Sequence, residues 1–453
     1  MKTFKFSIYI FLGMTLLASC SKDFLEPEVT TSKDVETNVN TAEDLDGIIL
    51  GAYDRMNAST YLGRDYVVYA EVRSDNAFSN GNSGRFVGPG QFFLNATDAY
   101  PSDTWLQIYR VIANTNIVIN TEVEDNESEE VQHLKGEAYA IRALAHMDLL
   151  RLYGEQYSGG TLGVPYITVY NSGELYPNRL TVDEVWTNIG ADLEEAEARM
   201  SSAYDNDSPT RITTLGVAAL QSRYYLYTKN YPAVIEAAER VIESGAYSLA
   251  DADNYTTVWS GSGGTTSVFE LAFTSTDNLS NDAIYNIYQG ASYGDIEVTT
   301  DLYDAYEETD VRKDLYTYNE STGKIRMTGK YPNLTANIRV IRYAEVVLNY
   351  AEVLAQTDAG NALEVLNMIP AKRGATLYEE ATVENVLTER RKELALEGHR
   401  FFDLVRNEKD ILKVDSRQTF SGDKIAYGSL LLPFPIPQSE VNANPNMEQN
   451  DGY

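Results

Sequence analysis

Cysteine is almost missing from this chain: Cys20 is the only one in 453 residues. A single thiol cannot close an intrachain disulfide, and a cysteine-rich metal site is excluded with it. Histidine is nearly as scarce, at three residues. No H-E-x-x-H, P-loop or G-x-S-x-G spacing occurs, so the common hydrolase and nucleotide signatures are absent. Glu130 and His133 have E-x-x-H spacing, but a di-metal bundle needs two such motifs; here they read as a solvated acidic stretch. Cations are also in deficit, with 36 Lys+Arg against 67 Asp+Glu and a formal charge of −31. So acidic a surface repels phosphates and anionic lipid heads, which excludes nucleic acid as a partner and favours neutral or cationic ligands. Tryptophan numbers only three, whereas tyrosine reaches 33. Many tyrosines must then be half-buried, free both to pack and to stack on a ligand.

The lone cysteine stands near the amino terminus. Residues 1–19 read "MKTFKFSIYIFLGMTLLAS", with Lys2 and Lys5 ahead of an apolar run from Phe6 to Leu17. That run is too short for a permanent span and has the form of a signal-peptide core; no later segment reaches spanning length. Ala18 and Ser19 are small, as a cleavage site requires. "LLASC" resembles a bacterial lipobox, in which cleavage precedes the cysteine and lipid is joined to its sulfur. Cys20 is thus the expected lipidation site; the alternative is an ordinary secretory signal with a chance cysteine. Residues 20–40 are polar without an apolar period and read as a lipidated tether. Residues 41–453 read as one domain.

Within that domain most of the periodicity is helical. Leu45, Ile48, Ile49 and Tyr53 share one side of a helix starting at about Thr41. Helical signals return over 104–120 and over 134–154, where Gly154 makes a stop. Thr181 with Glu184 three residues on forms a capping box. "RITTLGVAALQSRYYLYTKN" and "YPAVIEAAERVIES" look like a tetratricopeptide-type hairpin turned near Asn230, and a similar pair recurs over 339–373. The scaffold therefore covers about 41–245 and 339–407. Three stretches, 58–103, 246–338 and 408–453, are loop-like, with a short strand expected in 267–275. The four prolines of "LLPFPIPQSEVNANPNMEQNDGY" argue against regular helix in the tail. The expected fold is mostly α, a helical repeat scaffold with large irregular insertions on one side.

"ERRKELALEGHRFFDLVR" (389–406) is the most charged of these segments. As one helix it lines up Leu394, Gly398, Phe401 and Val405 beneath a ladder of Glu397, Arg400, Asp403 and Arg406. A mid-helix glycine costs about 1 kcal/mol and marks the close approach of another helix. The ladder pairs are worth only a few tenths of a kcal/mol each if exposed. His399 has no partner nearby in sequence, so the segment reads as structural.

The same segment resembles the signature of the SusD/RagB family of surface nutrient-binding lipoproteins. Other stretches agree in order: "GEAYAIRALAHMDLLRLYG" followed by "GVPY", "EVWTNIGADLEEA", the two helical hairpins, and the ending "PIPQSEVNANPNMEQNDGY". The resemblance implies a tetratricopeptide-like scaffold with an irregular ligand-binding side. It also implies a lipid-anchored, cell-surface position on the outer membrane and a TonB-dependent transporter of the SusC type as partner, over which the lipoprotein sits as a lid. No cofactor, metal or catalytic residue is assigned.

Sugars are held by aromatic faces and by side chains that take hydroxyl hydrogen bonds. Arg73, Asp75, Asn76 and Phe78, with Phe86 after them, supply that mixture in the loop 71–100. Tyr285, Tyr288 and Tyr293 supply aromatics in the second loop, each with scaffold packing as the alternative. Trp105 and Trp186 read as packing residues, whereas Trp259 is a further candidate contact. Segments 71–100 and 276–295 are expected to meet in a shallow surface. The expected function is capture of a nutrient polymer, a glycan in the first instance. The alternatives are a RagB-like peptide carrier, a glycan-cleaving enzyme and a helical-repeat assembly factor.

Overall fold

The computed structural model describes residues 39–170, 176–290, 292–357 and 359–453. The signal segment 1–19, Cys20 and the tether up to residue 38 lie outside the described residues. The first helix, α1 (Ala42–Met56), begins at a reciprocal cap, in which Asp44 N donates to Thr41 Oγ1 and Thr41 N donates to the Asp44 carboxylate. It is followed by α2 (Asp65–Val72), β1 (Ala77–Ser79) and the single turn α3 (Val87–Gln91). This corrects the reading of 58–103 as irregular. Every side chain of α2 is buried, so it has no polar face and no helical period for the sequence to show.

The long helices α4 (Ala99–Asn120), α5 (Glu129–Tyr153) and α6 (Val182–Arg199) form the first layer, with α5 packed between the other two and α1 against α4. The capping box at Thr181 and Glu184 is present, and α5 stops before Gly154. The next hairpin is α7 (Thr214–Tyr227) with α8 (Tyr231–Glu243), turned through Lys229 at φ 57°. The large insertion then carries β2 (Ser267–Leu271), α9 (Ile284–Tyr288), β3 (Ile296–Val298), α10 (Thr300–Asp304), β4 (Tyr316–Asn319) and β5 (Lys324–Met327).

The scaffold resumes with β6 (Ile338–Arg342), α11 (Tyr343–Gln356) and α12 (Ala362–Arg373). Residues 339–342 are thus strand and not helix, because β6 pairs antiparallel with β2 and all five of its side chains are buried. The chain ends through α13 (Val383–Glu393), α14 (Arg400–Arg406), β7 (Ile411–Leu412), β8 (Lys424–Ile425) and α15 (Gln438–Ala443). The helix α15 departs from the expectation for the tail. Pro437 precedes it as the cap, where a missing N–H costs nothing, and Pro445 lies beyond its end. Pairing among the named strands is confined to four two-stranded units, so helices carry the core.

The 389–406 segment is two helices and not one. Leu396 at φ 64° and Gly398 at φ 89° turn the chain between α13 and α14. A close approach does occur at Gly398, but from a turn: a Cβ there would lie 3.1 Å from Val67 Cα on α2. Its N–H donates to the buried Glu71 carboxylate at 2.8 Å.

The charges do not form an exposed ladder either. Of the four ladder charges, only Asp403 and Arg406 pair with each other, at 2.7 Å. Glu397 instead binds Lys330 and Arg342, each at 2.6 Å, and Arg400 binds Asp75 at 2.7 Å. Glu393 takes Arg342 and Arg373 at 2.9 Å and Arg312 at 3.3 Å. Burial alone would raise the Glu393 pKa; the three guanidiniums overcome that and hold it well below the usual carboxylate range. The segment is structural, as its pattern indicates, and its charges are a buried network.

Two tests follow from this turn and network. Gly398→Ala should lower unfolding free energy by about 1–2 kcal/mol, the strain of a left-handed non-glycine residue, with the Val67 contact added; an unchanged denaturant midpoint would contradict the geometry. The second test uses pH. Burial drops the His399 pKa from 6.5 to about 4, so the folded chain binds fewer protons than the unfolded one between those values. Stability present above pH 6.5 should fall as pH drops towards about 4, and His399→Asn should flatten that part of the profile. Asp75, also buried, is held near 2 by Arg400 and Arg391, so its contribution, present above 3.8, should vanish only as pH falls through about 2.

Candidate functional site

The two irregular segments do meet. Strands β1 and β3 pair antiparallel, with Ala77 opposite Val298, Phe78 opposite Glu297 and Ser79 opposite Ile296. Beyond β1 the chain turns out through Gly81 and Gly84, both at positive φ (71° and 83°), and residues 81–84 are exposed. Side chains of this turn are laced to the second segment. Asn80 donates to Gly294 O and to Glu297, both at 2.8 Å. Asn82 donates to Tyr293 O at 3.0 Å, and the Ser83 N–H donates to Asp295 at 2.9 Å. The Arg85 guanidinium lies 3.9 Å from the centre of the Tyr293 ring and also reaches Asp282 at 3.2 Å.

The β4–β5 hairpin supports this face from one side. Arg326 on β5 donates to Gly294 O at 2.9 Å and Ile296 O at 3.2 Å. Gly294 must be glycine for that approach, since its φ is 55° and a Cβ would come within 2.8 Å of the guanidinium. Glu297, though nearly buried, has Arg326, Lys324 and Arg417 at 3.5, 3.6 and 3.7 Å. The hairpin adds an exposed Tyr318, its ring 5.6 Å from that of Tyr303. Asp295 is buried, and its second carboxylate oxygen has no partner among the described residues. The result is a shallow polar surface with tyrosines set in it. Its carboxylates Asp282 and Glu297 are ion-paired to neighbouring arginine and lysine side chains, and Asp295 accepts from the Ser83 N–H.

The structure divides the sequence-derived candidates. Tyr293 is half-buried at this face, and Tyr285, on the short helix α9 that packs against β3, is half-buried as well. The others are committed inward. Arg73 donates to Leu431 O and Leu432 O at 3.1 and 2.6 Å, and its guanidinium is surrounded by the rings of Phe92, Phe401 and Phe434. With no carboxylate beside it among the described residues, burial pulls its pKa down to about 10. Asn76 is fully buried between Glu71 and Arg391, and Asp75 is buried against Arg400. Phe78 lies beneath Arg417, and Phe86 stacks on Tyr100. Tyr288 is buried against Tyr331. Trp259 is buried, with Lys330, Arg339 and Arg342 over its ring at 5.0, 4.2 and 5.1 Å.

Asn80, Asn82, Ser83 and Arg85 were not singled out from sequence, although the "NGNSG" run, with its two glycines, signals an exposed turn. Trp105 and Trp186 are buried in the scaffold, as their helical context indicates. Two clefts, of about 510 and 450 Å³, lie on the helical scaffold and share no lining residue with this face.

Comparison with known proteins agrees with this architecture. A SusD-like family model described as "Starch-binding associating with outer membrane" matches residues 23–226, and the SusD family model matches residues 326–453. SusD-like protein P38 of Formosa agariphila is 25% identical, over 100% of both chains. Starch-binding protein SusD of Bacteroides thetaiotaomicron is 30% identical over 174 residues, which is 37% of this chain and 30% of that one. A solved SusD superfamily protein from Bacteroides thetaiotaomicron superposes with a TM-score of 0.83 at 27% identity, covering 90% of this chain and 99% of the other.

If the face is the ligand surface, Tyr285→Ala and Tyr293→Ala should each weaken binding by about 1–2 kcal/mol, tenfold or more, with circular dichroism unchanged. Tyr288→Phe, which alters only a buried hydroxyl, should leave affinity as it was. Calorimetry reads both; equal affinities for all three variants and the parent would remove the ligand from this face.

Proposed function

The chain belongs to the SusD/RagB family, and on that premise we propose that it captures a glycan at the cell surface and passes it to a TonB-dependent outer-membrane transporter of the SusC type. The observation that carries the reading is the laced turn: residues 80–85 bound to 293–297, with the Tyr293 ring held on Arg85 and amide side chains beside it. Such a surface offers what a neutral sugar polymer needs, a flat ring for its C–H face and fixed polar groups for its hydroxyls. It is pre-organised, so little ordering entropy is lost on binding. The reading is of a binding protein and not of an enzyme. Glycoside cleavage needs two carboxylates working across one bond, whereas Asp282 and Glu297 are occupied by arginine and lysine partners.

Anchoring belongs to the same proposal: Cys20 carries lipid and holds the chain on the outer membrane. A peptide ligand is the competing reading, since the formal charge of −31 would steer basic peptides towards the protein. An array carrying neutral polysaccharides and basic peptides separates the two. Binding to one or more polysaccharides and to none of the peptides is expected; the reverse pattern would replace glycan by peptide. Cys20→Ala should release the protein from the outer-membrane fraction of cells that lack the transporter, and retention there would contradict the anchor.

A further inference from the structure

We propose a second ligand site, for a single neutral pyranose ring, in the cleft where α6 begins and α7 and α14 end. The cleft encloses about 510 Å³, within the range of small-molecule sites. It shares no residue with the loop face, so the inference does not rest on the reading of that face.

One wall is an aromatic corner. The Trp186 ring sits 5.9 Å from Tyr224 and 5.8 Å from Tyr227, tilted at 51° and 34°. The indole N–H donates to Gln156 Oε1 at 3.0 Å, which fixes the plane of the ring. Trp186 backs the corner from within the scaffold, and the half-buried Tyr224 and Tyr227 offer the ring surface that suits the C–H face of a sugar.

The polar lining is balanced. Asp183 and Glu408 offset Lys229 and Arg406, on a chain whose formal charge is −31. Arg406 is already taken by Glu352 and Asp403. Lys229 and Glu408 pair with each other at 3.5 Å. No cation is left over to select an anion; Asp183 is the one lining charge without an ion pair among the described residues, and it stands with the hydroxyl-bearing Thr187 and Thr228 as an acceptor for ligand hydroxyls.

Two further observations point to an occupant. Tyr157 lines the cleft, is 6% exposed, and its hydroxyl has no hydrogen-bond partner among the described residues. A buried hydroxyl without a partner is costly; its oxygen has almost no accessible surface, so a ligand hydroxyl reaches and satisfies it only once the cleft wall shifts. Lys229 and Glu408 both hold left-handed backbone, at φ 57° and 56°. Strained non-glycine positions gather at ligand sites, and two of them meet across this rim. A purely apolar ligand would leave Asp183 and the two threonine hydroxyls unused, and an anionic one would be repelled by Asp183.

The test titrates the full chain with glucose, galactose, mannose and xylose, one at a time, followed by saturation-transfer NMR and intrinsic tryptophan fluorescence. At least one should bind saturably in the millimolar range. Tyr157→Phe and Asp183→Ala should each weaken that binding at least threefold while leaving polysaccharide binding at the loop face as in the parent. Asp183 is exposed, so its variant carries the test should Tyr157→Phe misfold. The inference is overturned if none of the four sugars binds the parent, or if both cleft variants bind like the parent. Loss of binding in Tyr293→Ala alone would put the sugar on the loop face; that also overturns the cleft site, while leaving the first reading intact. Monosaccharide binding in the cleft without any polymer binding would support this site and remove the other.

Discussion

Glu393 and Glu397 are carboxylates taken wholly out of water, and they stay ionised only because arginines and a lysine from distant parts of the chain come to them. Arg342 leaves the end of β6, Arg373 the end of α12, Arg312 the stretch ahead of β4, and Lys330 the link between β5 and β6. The insertion between the two helical parts is therefore pinned to the signature segment by charge. Removing one partner from a buried pair costs roughly 3–5 kcal/mol, a large share of a total stability of about 5–15 kcal/mol. Well-packed apolar side chains could match the energy of the network. They could not specify as sharply which loop lies where, since hydrogen-bonded ion pairs are directional.

The first insertion is tied down by the same segment. The turn at Gly398 brings two backbone N–H groups to Glu71, and Arg400 closes on Asp75. From there the chain runs only a few residues to β1, which pairs with β3 of the second insertion. Each loop is thus held to the scaffold at its base and to the other loop at its tip. This arrangement gives the exposed turn its fixed shape. It also explains why Arg73, Asp75 and Asn76, so suggestive of ligand chemistry as a string of letters, face the protein interior: they are the fastening of the loop and not its surface.

Much of the scaffold could be read from periodicity and caps. The Thr41 and Thr181 capping boxes and the turn near Asn230 are local signals, and local physics decides them. What the sequence hid depends on partners far along the chain. Helix α2 has no polar face because it is surrounded, so no period betrays it. Residues 338–342 look like a helix start until β2 is laid beside them. Gly398 suggested a close approach, which is present, but its left-handed turn follows from Val67 and Glu71, more than three hundred residues earlier. At the face, composition located both loops, yet it could not tell Tyr288 from Tyr285 and Tyr293, because burial of a tyrosine in a loop is settled by what packs behind it.

The central claim is that the signature segment holds the fold while the paired loops hold the ligand. Hydrogen–deuterium exchange of the full chain, with and without a saturating polysaccharide selected from the array, tests it directly. The account predicts added protection over 80–85 and 285–297, and none over 389–406 beyond the slow exchange it already has as buried structure. New protection confined to 389–406, with the two loops unchanged, would contradict it.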